Sequence, residues 1–475
     1  MNDFALSQAP LIVGFAVLMF LASFRHSRKE NASASIALVA LGLTAWLMWV
    51  KLPPGAEYFG GAIRVTLAGK LLAWLCLAFT AMAMLLSEGY LEKVRIHPAD
   101  WRMVVLAMGL GMTSLCLAGD LATLFVAYEL VSIPSYVLAG FNHRDPRSNE
   151  AGMKYLLLGV FTSVLFLLGI SFLYGATGEI DLIAIRDSLL RAAENGAVAD
   201  LTLAKLSLAF ILGALLFKVG AAPFHAWIPD VYQGSNMASL GIISSPVKVA
   251  VFGMMAMLLW GPYLALAEIW KPALLIAALA SAVLGNLQAM LQTNLKRLIA
   301  YSAVVNAGFI LLCIFLDSVP ATVFYLGVYG ITTLGAWAAL MAMGTRNADV
   351  DEIADLAGMG KRRKWLALGF TVILLSYAGI PPTAGFAAKF GMALEALKPE
   401  AALPRTALFV VSVSVIAGLV SFYYYFQIVR AMWLQAPPRN AGEVGCPGQG
   451  WNYALALVLS LAGIIALGLL MRLPG

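Results

Sequence analysis

The chain has 475 residues, of which 61% are hydrophobic and only 12% charged, where a soluble protein carries roughly 25% charge. Such a composition excludes a soluble globular arrangement and makes this a polytopic membrane protein. The net charge of +6 does not signal a nucleic-acid surface, because the basic residues lie in short loops between apolar runs and read as orientation signals.

A spanning helix needs about 20 mostly apolar residues, and on that rule the sequence predicts an all-α fold of about fourteen spans. They fall near 9–24, 34–51, 66–87, 102–118, 120–141, 152–175, 201–228, 238–260, 269–292, 298–316, 320–344, 365–396, 405–433 and 451–472. The first, Pro10–Phe24, lacks a basic leader and a small-residue cleavage site, so it is expected to be retained. Trp46, Trp49, Trp101 and Trp433 stand near span ends and read as interfacial belts. Glu129 lies in the fifth span, LATLFVAYELVSIPSYVLAGF, and Lys154 early in the sixth, AGMKYLLLGVFTSV. A charge at bilayer depth costs at least a few kcal/mol. A lysine near a span end escapes by snorkelling, an alternative open to Lys154 and Lys205 but not to Glu129. Gly178 to Asp200 follows as a polar connection.

The seventh span is spoiled by Lys218 and by the break Gly220-Ala221-Ala222-Pro223. Proline removes a backbone donor and clashes with the preceding turn, so the helix kinks or stops there. A broken helix survives at membrane depth only where protein or trapped water satisfies the freed groups. Beyond the break, His225 is either a relay or a cap, and Asp230 either a site residue or an interfacial helix start. In the eighth span Pro246 precedes Lys248 by two residues, which predicts a kink beside that lysine, with Ser244 and Ser245 placed to hold water. The alternative for Lys248 is a structural lysine bonded to freed carbonyls. Tyr301, Ser302 and Asn306 give the tenth span a polar face, for water or for helix association. The twelfth span, SYAGIPPTAGFAAKF, breaks at Pro381 and Pro382 and carries Lys389. Another polar connection, Arg346 to Lys364, precedes it. Gln435 to Gly450 is rich in proline and glycine and reads as a flexible loop.

Basic residues follow the odd-numbered spans: Arg25, Arg28, Lys29; Lys93, Arg95, Arg102; Arg144, Arg147; Lys296, Arg297; and Lys361 to Lys364. The opposite loops carry Glu179, Asp181, Glu194, Asp200, Asp317 and Glu400. The positive-inside rule then places both termini outside the cytoplasm. Spans four to eight and nine to thirteen form two units of five, each with its broken helix fourth. Units with an odd number of spans must be inverted with respect to each other, an architecture that places sites at the breaks. The expected division is a three-helix segment (1–100), a first inverted repeat (101–262), a second (263–434), and a loop with a final helix (435–475).

Desolvation lowers the pKa of a lysine and a nearby carboxylate raises it. A buried lysine whose carboxylate partner approaches and withdraws therefore takes up and releases a proton without any cofactor. Nothing in the sequence suggests one: Cys76, Cys116, Cys313 and Cys446 form no C-x-x-C pair, the four histidines have no ligand spacing, and no G-x-G-x-x-G follows a strand.

Five segments together resemble the antiporter-like membrane subunits of respiratory complex I, a family shared with the multi-subunit Mrp cation/proton antiporters. They are YELVSIPSYVL, SNEAGMKYLLLG, FKVGAAPFHAWIPDVYQG, GNLQAMLQTNLKRLIAYSA and AGIPPTAGFAAKF, and the likeness runs from the fourth span to the thirteenth. The resemblance implies that Glu129 and Lys218 form the carboxylate–lysine pair of an inlet half-channel. It makes Lys248 a central linking lysine, Lys389 the exit lysine, and Lys154 a helper beside the glutamate; His225 matches the family's P-F-H-x-W-x-P-D segment. The chain ends after its fourteenth expected span, whereas the family's largest member adds a lateral helix, and its middle member has a glutamate where this chain has Lys389. Two departures stand out: Ser235-Asn236-Met237 where the family has Ala-Pro, and Asn306 where relatives often have histidine.

The function so implied is a proton-translocating membrane-arm subunit of a NADH:quinone oxidoreductase in a bacterial inner membrane. NADH, FMN, iron–sulfur clusters and quinone would be held by other subunits. Partners would be the bilayer, an antiporter-like subunit M, and small subunits K, J, A and H. The rivals are an Mrp-type sodium/proton antiporter subunit, a hydrogenase-linked version of the same module, and a purely structural anchor.

Overall fold

A computed structural model describes residues 2–23, 30–345, 348–398, 404–437 and 450–469. Helices α1 (Asp3–Ser23) and α2 (Glu30–Lys51) pack together, and a two-residue hairpin, β1 (Glu57–Tyr58) with β2 (Ile63–Arg64), leads to α3 (Leu67–Ser87) and the single turn α4 (Tyr90–Lys93). A first series follows: α5 (Pro98–Cys116), α6 (Leu121–Ala139), α7 (Pro146–Thr177), α8 (Leu182–Asn195), α9 (Val198–Val219), α10 (Trp227–Gly234), α11 (Met237–Ser244) and α12 (Pro246–Trp260). A second comprises α13 (Ala267–Met290), α14 (Leu295–Phe315), α15 (Val319–Met343), α16 (Met359–Arg362), α17 (Lys364–Ala378), α18 (Ala384–Ala396) and α19 (Pro404–Leu434), before α20 (Gly450–Leu469).

Among the described residues, 12 helical segments are long and apolar enough to cross a membrane. Two expected spans fall short. Helix α5 carries Asp100 and Arg102 near its start, and the twelfth span is divided into α17 and α18. Length and composition therefore do not establish the expected count of about fourteen. The Gly178–Asp200 connection corrects another expectation. It contains α8, whose Leu182, Ile185, Leu189 and Ala192 are buried at helical spacing, so polar composition concealed an amphipathic surface helix. Arg346 to Lys364 likewise holds α16 and a 3-10 turn at Ile353–Leu356. The loop expected at Gln435–Gly450 lies mostly outside the described residues, as do Arg25, Arg28, Lys29, Glu400 and Cys446.

Lipid-like side chains surround most of these helices, so hydrophobicity alone does not choose their neighbours, and close approach of small residues does. Helices α13 and α14 interlock in this way. A Cβ on Gly308 would lie 2.6 Å from the Ala278 carbonyl, and one on Gly285 would lie 3.1 Å from that of Tyr301. The lysine-bearing centre is deeply enclosed: 94% of the apolar window of α11–α12 and 89% of that of α14 are buried, against 33% for α1.

Interacting loops fall into two sets. In the first, the β1–β2 loop, the start of α6 and the start of α8 meet through the bridges Ile63–Ala118 and Asp120–Asp181 and the Arg64–Asp181 ion pair. Helix α8 lies on the turn Pro262–Leu266, and Lys271 pairs with Asp317. In the second set, Lys93 and Lys296 converge on Asp349, Asn294 bridges Glu352, and Arg297 reaches Asp230. The alternation read from loop charge is thus the alternation of the fold. Below, these are the acidic-loop face and the basic-loop face.

Candidate functional site

Helices α9 and α17, which hold corresponding places in the two series, stop in the same way. Gly220 takes φ +73° and Gly379 φ +81°. Ala221 N–H donates to the Leu216 carbonyl at 2.9 Å, and Ile380 N–H to the Leu375 carbonyl at 3.0 Å. Both are left-handed glycine caps that satisfy the last carbonyls of a helix. Each break also carries a cis peptide, Ala222–Pro223 and Pro381–Pro382. At the first break Trp227 folds back over the stop, donating to the Phe217 carbonyl at 2.9 Å and stacking on Tyr155 at 4.4 Å. Ala222 N–H is taken up by the Ser281 hydroxyl at 2.8 Å.

Lys218 sits two residues before the Gly220 stop and is 2% exposed. Its ammonium makes no hydrogen bond. It lies instead over three tyrosine rings, 4.6 Å from Tyr136, 5.2 Å from Tyr155 and 5.6 Å from Tyr128. Ring faces attract cations, so this cage holds the ammonium without committing it to a counter-ion. The Glu129 carboxylate acts on Lys218 electrostatically but makes no salt bridge with it. Glu129 is half-buried on a side of α6 whose Val126 and Ile133 are exposed, and Pro134 in the same helix cannot donate to the Leu130 carbonyl. The hydroxyls of Tyr128, Ser132, Tyr136 and Ser163 and one oxygen of Glu129 are buried and make no close hydrogen bond, and the Tyr128 and Tyr136 rings border Lys218. A cluster of such atoms marks a place that water would fill.

Lys248 is 2% exposed and also unbonded, with its ammonium 5.9 Å from the Tyr329 ring. The expected kink is present: α11 ends at Ser244 and Pro246 starts α12. The serines donate their protons to backbone carbonyls. Ser244 donates to the Leu240 carbonyl at 2.5 Å and Ser245 to the Gly330 carbonyl at 3.1 Å, while Ser244 also accepts from Trp337 at 2.9 Å. Their hydroxyls are spent on the fold. The structural alternative for Lys248, bonding to freed carbonyls, is not what is found.

Between Lys248 and Lys389 runs a hydroxyl-lined seam. Tyr377 donates to Thr333 at 2.9 Å and stacks on Tyr425 at 5.7 Å, Tyr425 bonds Ser302, and Tyr325 donates to Asn306 at 3.2 Å. Asn306 is therefore bonded on both sides, since its amide also donates to the Ser302 carbonyl at 2.9 Å. Tyr301 takes no part in these bonds. Lys389 donates to the carbonyls of Tyr377 at 2.8 Å and Ala378 at 3.2 Å, the C-terminal end of α17, where the helix dipole favours a cation.

Three candidates sit elsewhere than expected. Lys154 makes its ion pairs with residues other than Glu129. It pairs with Glu150 at 2.8 Å and Asp230 at 3.0 Å near the basic-loop face, the snorkelling outcome. Asp230 is also held by Arg297 at 2.8 Å, joining the two series. Burial pushes the Asp230 carboxyl up, but its bonds to Lys154 and Arg297 outweigh that and hold it below the usual carboxylate range. His225 caps neither helix; its Nε2 faces Gln288 Oε1 at 2.9 Å and its Nδ1 is buried without a partner. Trp101, expected at an interface, is wholly buried and donates to Ser239 at 3.1 Å. Sequence reasoning missed the tyrosines. The available signal was Tyr128 in mid-span, away from the interfaces where tyrosine is usual; Tyr136 and Tyr155 lie nearer span ends and gave none.

A family model described as NADH:quinone oxidoreductase/Mrp antiporter, TM, matches residues 118–417. NADH-quinone oxidoreductase subunit N 1 of Herpetosiphon aurantiacus is 35% identical over 439 residues, 92% of this chain and 88% of that protein. A chain of respiratory complex I from Thermus thermophilus with bound aureothin superposes with a TM-score of 0.80 at 30% identity, over 98% of both chains. A chain of the Mrp complex from Dietzia sp. superposes with a TM-score of 0.82 over 99% of this chain and 95% of that one, but at 19% identity that likeness speaks for the fold alone.

Proposed function

The chain belongs to the NADH:quinone oxidoreductase/Mrp antiporter membrane family, and we propose from that membership that it serves as subunit N of a NADH:quinone oxidoreductase, carrying protons across the membrane. The observation that carries the reading is Lys218, buried beside a helix break in a tyrosine cage, within the field of Glu129 but not bonded to it. Approach of the carboxylate favours the charged ammonium and withdrawal favours release of its proton.

Lys218, Lys248 and Lys389 form a sequence. Helix α9 starts at the acidic-loop face and stops short of the basic-loop face; α17 runs the other way. Lys218 thus belongs to the basic-loop half of the membrane and Lys389 to the acidic-loop half, with Lys248 and the hydroxyl seam between. We assign residues 101–262 to an inlet half-channel and 263–434 to an inverted exit half-channel. Residues 1–100 and 435–475 flank them. The basic-loop face is the cytoplasmic one, in a bacterial inner membrane, and both termini are periplasmic. NADH, FMN, iron–sulfur clusters and quinone belong to other subunits. The neighbours are the antiporter-like subunit M and subunits K, J, A and H. A sodium-exchanging role has less support. The relatives at 30% identity or more are NADH-quinone oxidoreductase proteins, whereas the Mrp chain matches at 19%.

The test is a double-mutant cycle of Glu129→Gln and Lys218→Ala in the complete complex, read as proton uptake into vesicles. Strongly non-additive losses are expected for a coupled pair. Additive losses would remove the pairing, and full pumping by Lys218→Ala would remove the carrier.

A further inference from the structure

A groove of about 890 Å³ opens on the basic-loop face between α6, α7 and the loop before α5. Its size is that of a small-molecule site. Its outer wall is apolar and uncovered: Ile133 is 54% exposed, Val137 48% and Met153 56%. Its rim is polar and carries two arginines, Arg95 and Arg144. Among the described residues neither guanidinium has a hydrogen-bond or ion-pair partner. The other titratable groups at the rim are His97, His143 and Asp100, and His97 stands 3.5 Å from the Asp100 carboxylate. Two unpaired permanent cations against one carboxylate leave the rim positive.

We propose that this groove binds an anionic phospholipid, with the phosphate between Arg95 and Arg144 and an acyl chain along Ile133, Val137 and Met153. Charge complementarity argues for the anion, since an unpaired guanidinium is the side chain best shaped for a phosphate. The apolar wall at membrane depth argues for an acyl chain over a soluble anion, and basic pockets between spans are the form such lipid sites take. Tyr136, which is buried, also lines the groove, and its ring lies 4.6 Å from the Lys218 ammonium. The lipid would therefore border the Lys218 cage. The inference requires only that the chain lies in a membrane, so it stands or falls independently of the proton path.

The experiment reconstitutes the complete complex in phosphatidylcholine nanodiscs. A small fraction of photoreactive phosphatidylglycerol is added, or phosphatidylcholine with the same photoreactive acyl chain. Cross-links are mapped by mass spectrometry in the parent and in Arg95→Gln/Arg144→Gln. The expected result is preferential labelling of α6 and α7 around Val137 and Met153 by the anionic probe. Two basic residues at a membrane surface are together worth roughly thirtyfold in occupancy, so the double variant should lose most of that preference while retaining assembly. Equal labelling by both probes would reduce the groove to ordinary bilayer contact. No labelling would mean that a neighbouring subunit covers it. Anionic preference unchanged in the double variant would remove the arginines from the site. Any of the three overturns the proposal.

Discussion

The two lysines beside the breaks are held in opposite ways. Lys389 donates to two carbonyls of α17, whereas Lys218 rests on ring faces and donates to nothing. A proton carrier must give up its charge cheaply, and the tyrosine cage demands less of the ammonium than hydrogen bonds do. Lys218→Ala keeps helix propensity and should leave the complex assembled, with NADH oxidation by a soluble acceptor intact and vesicle proton uptake largely lost. Lys218→Arg should fail as well, because a guanidinium does not deprotonate. Full pumping by the arginine variant would show that charge alone suffices. Asp349 at the basic-loop face allows a pH test. Burial pushes its carboxyl up, but the ammonium groups of Lys296 and Lys93 outweigh that, with the Tyr90 hydroxyl, and hold it below the usual range. A depressed folded pKa contributes stability above the unfolded value, about 3.9, which is lost as pH falls through the folded value. Asp349→Asn should cost roughly 1–3 kcal/mol at neutral pH by taking the carboxylate from Lys93 and leaving Lys296 with Asp351 alone. Thermal unfolding of parent and variant should converge as the pH falls below about 4.

At the scale of elements, the breaks depend on glycine. A Cβ on Gly220 would fall 1.7 Å from Ile228 Cδ1, at a φ of +73°. Gly220→Ala should therefore cost about 1–2 kcal/mol for the left-handed backbone, with a further penalty from displacing Ile228 and the Trp227 lid. Gly213→Ala, earlier in the same helix, meets nothing within 4 Å and should be neutral or slightly stabilising. Melting temperature and proton uptake of the two variants should diverge; equal behaviour would mean that the stop is held by Pro223 and not by the glycine cap. Apolar runs and proline positions made the helices and both breaks legible in the sequence. The amphipathic α8 was not, because its charged residues masked four buried positions within a short period.

At the scale of the whole molecule, the two sets of loops define two faces, and the proposed orientation, drawn from the excess of lysine and arginine, puts the one carrying Lys93, Lys296 and Lys361 in the cytoplasm. Cysteines introduced at Glu194 and Lys361, both exposed, should be distinguished by a membrane-impermeant maleimide applied to intact cells. Cys76, Cys116 and Cys313 are buried, so Cys446→Ser gives a suitable background. Glu194→Cys should label from outside and Lys361→Cys only after permeabilisation. The reverse would invert the orientation and exchange inlet for exit.

What the sequence determined by itself is what composition and local chemistry control: the membrane class, the breaks at Gly220–Pro223 and Pro381–Pro382, the kink at Pro246, the alternation of loops, and the presence of Glu129, Lys218, Lys248 and Lys389 in apolar surroundings. These follow from transfer cost and from backbone donors that proline lacks, and both are readable residue by residue. Which groups surround each charge was decided only by tertiary structure. Nothing local places Tyr128, Tyr136 and Tyr155 around one ammonium, pairs Lys154 with Asp230, or spends Ser244 and Ser245 on carbonyls. Those outcomes depend on which helix faces meet. Among helices apolar on every side, that choice rests on the close approach of small residues such as Gly285 and Gly308 to the neighbouring backbone.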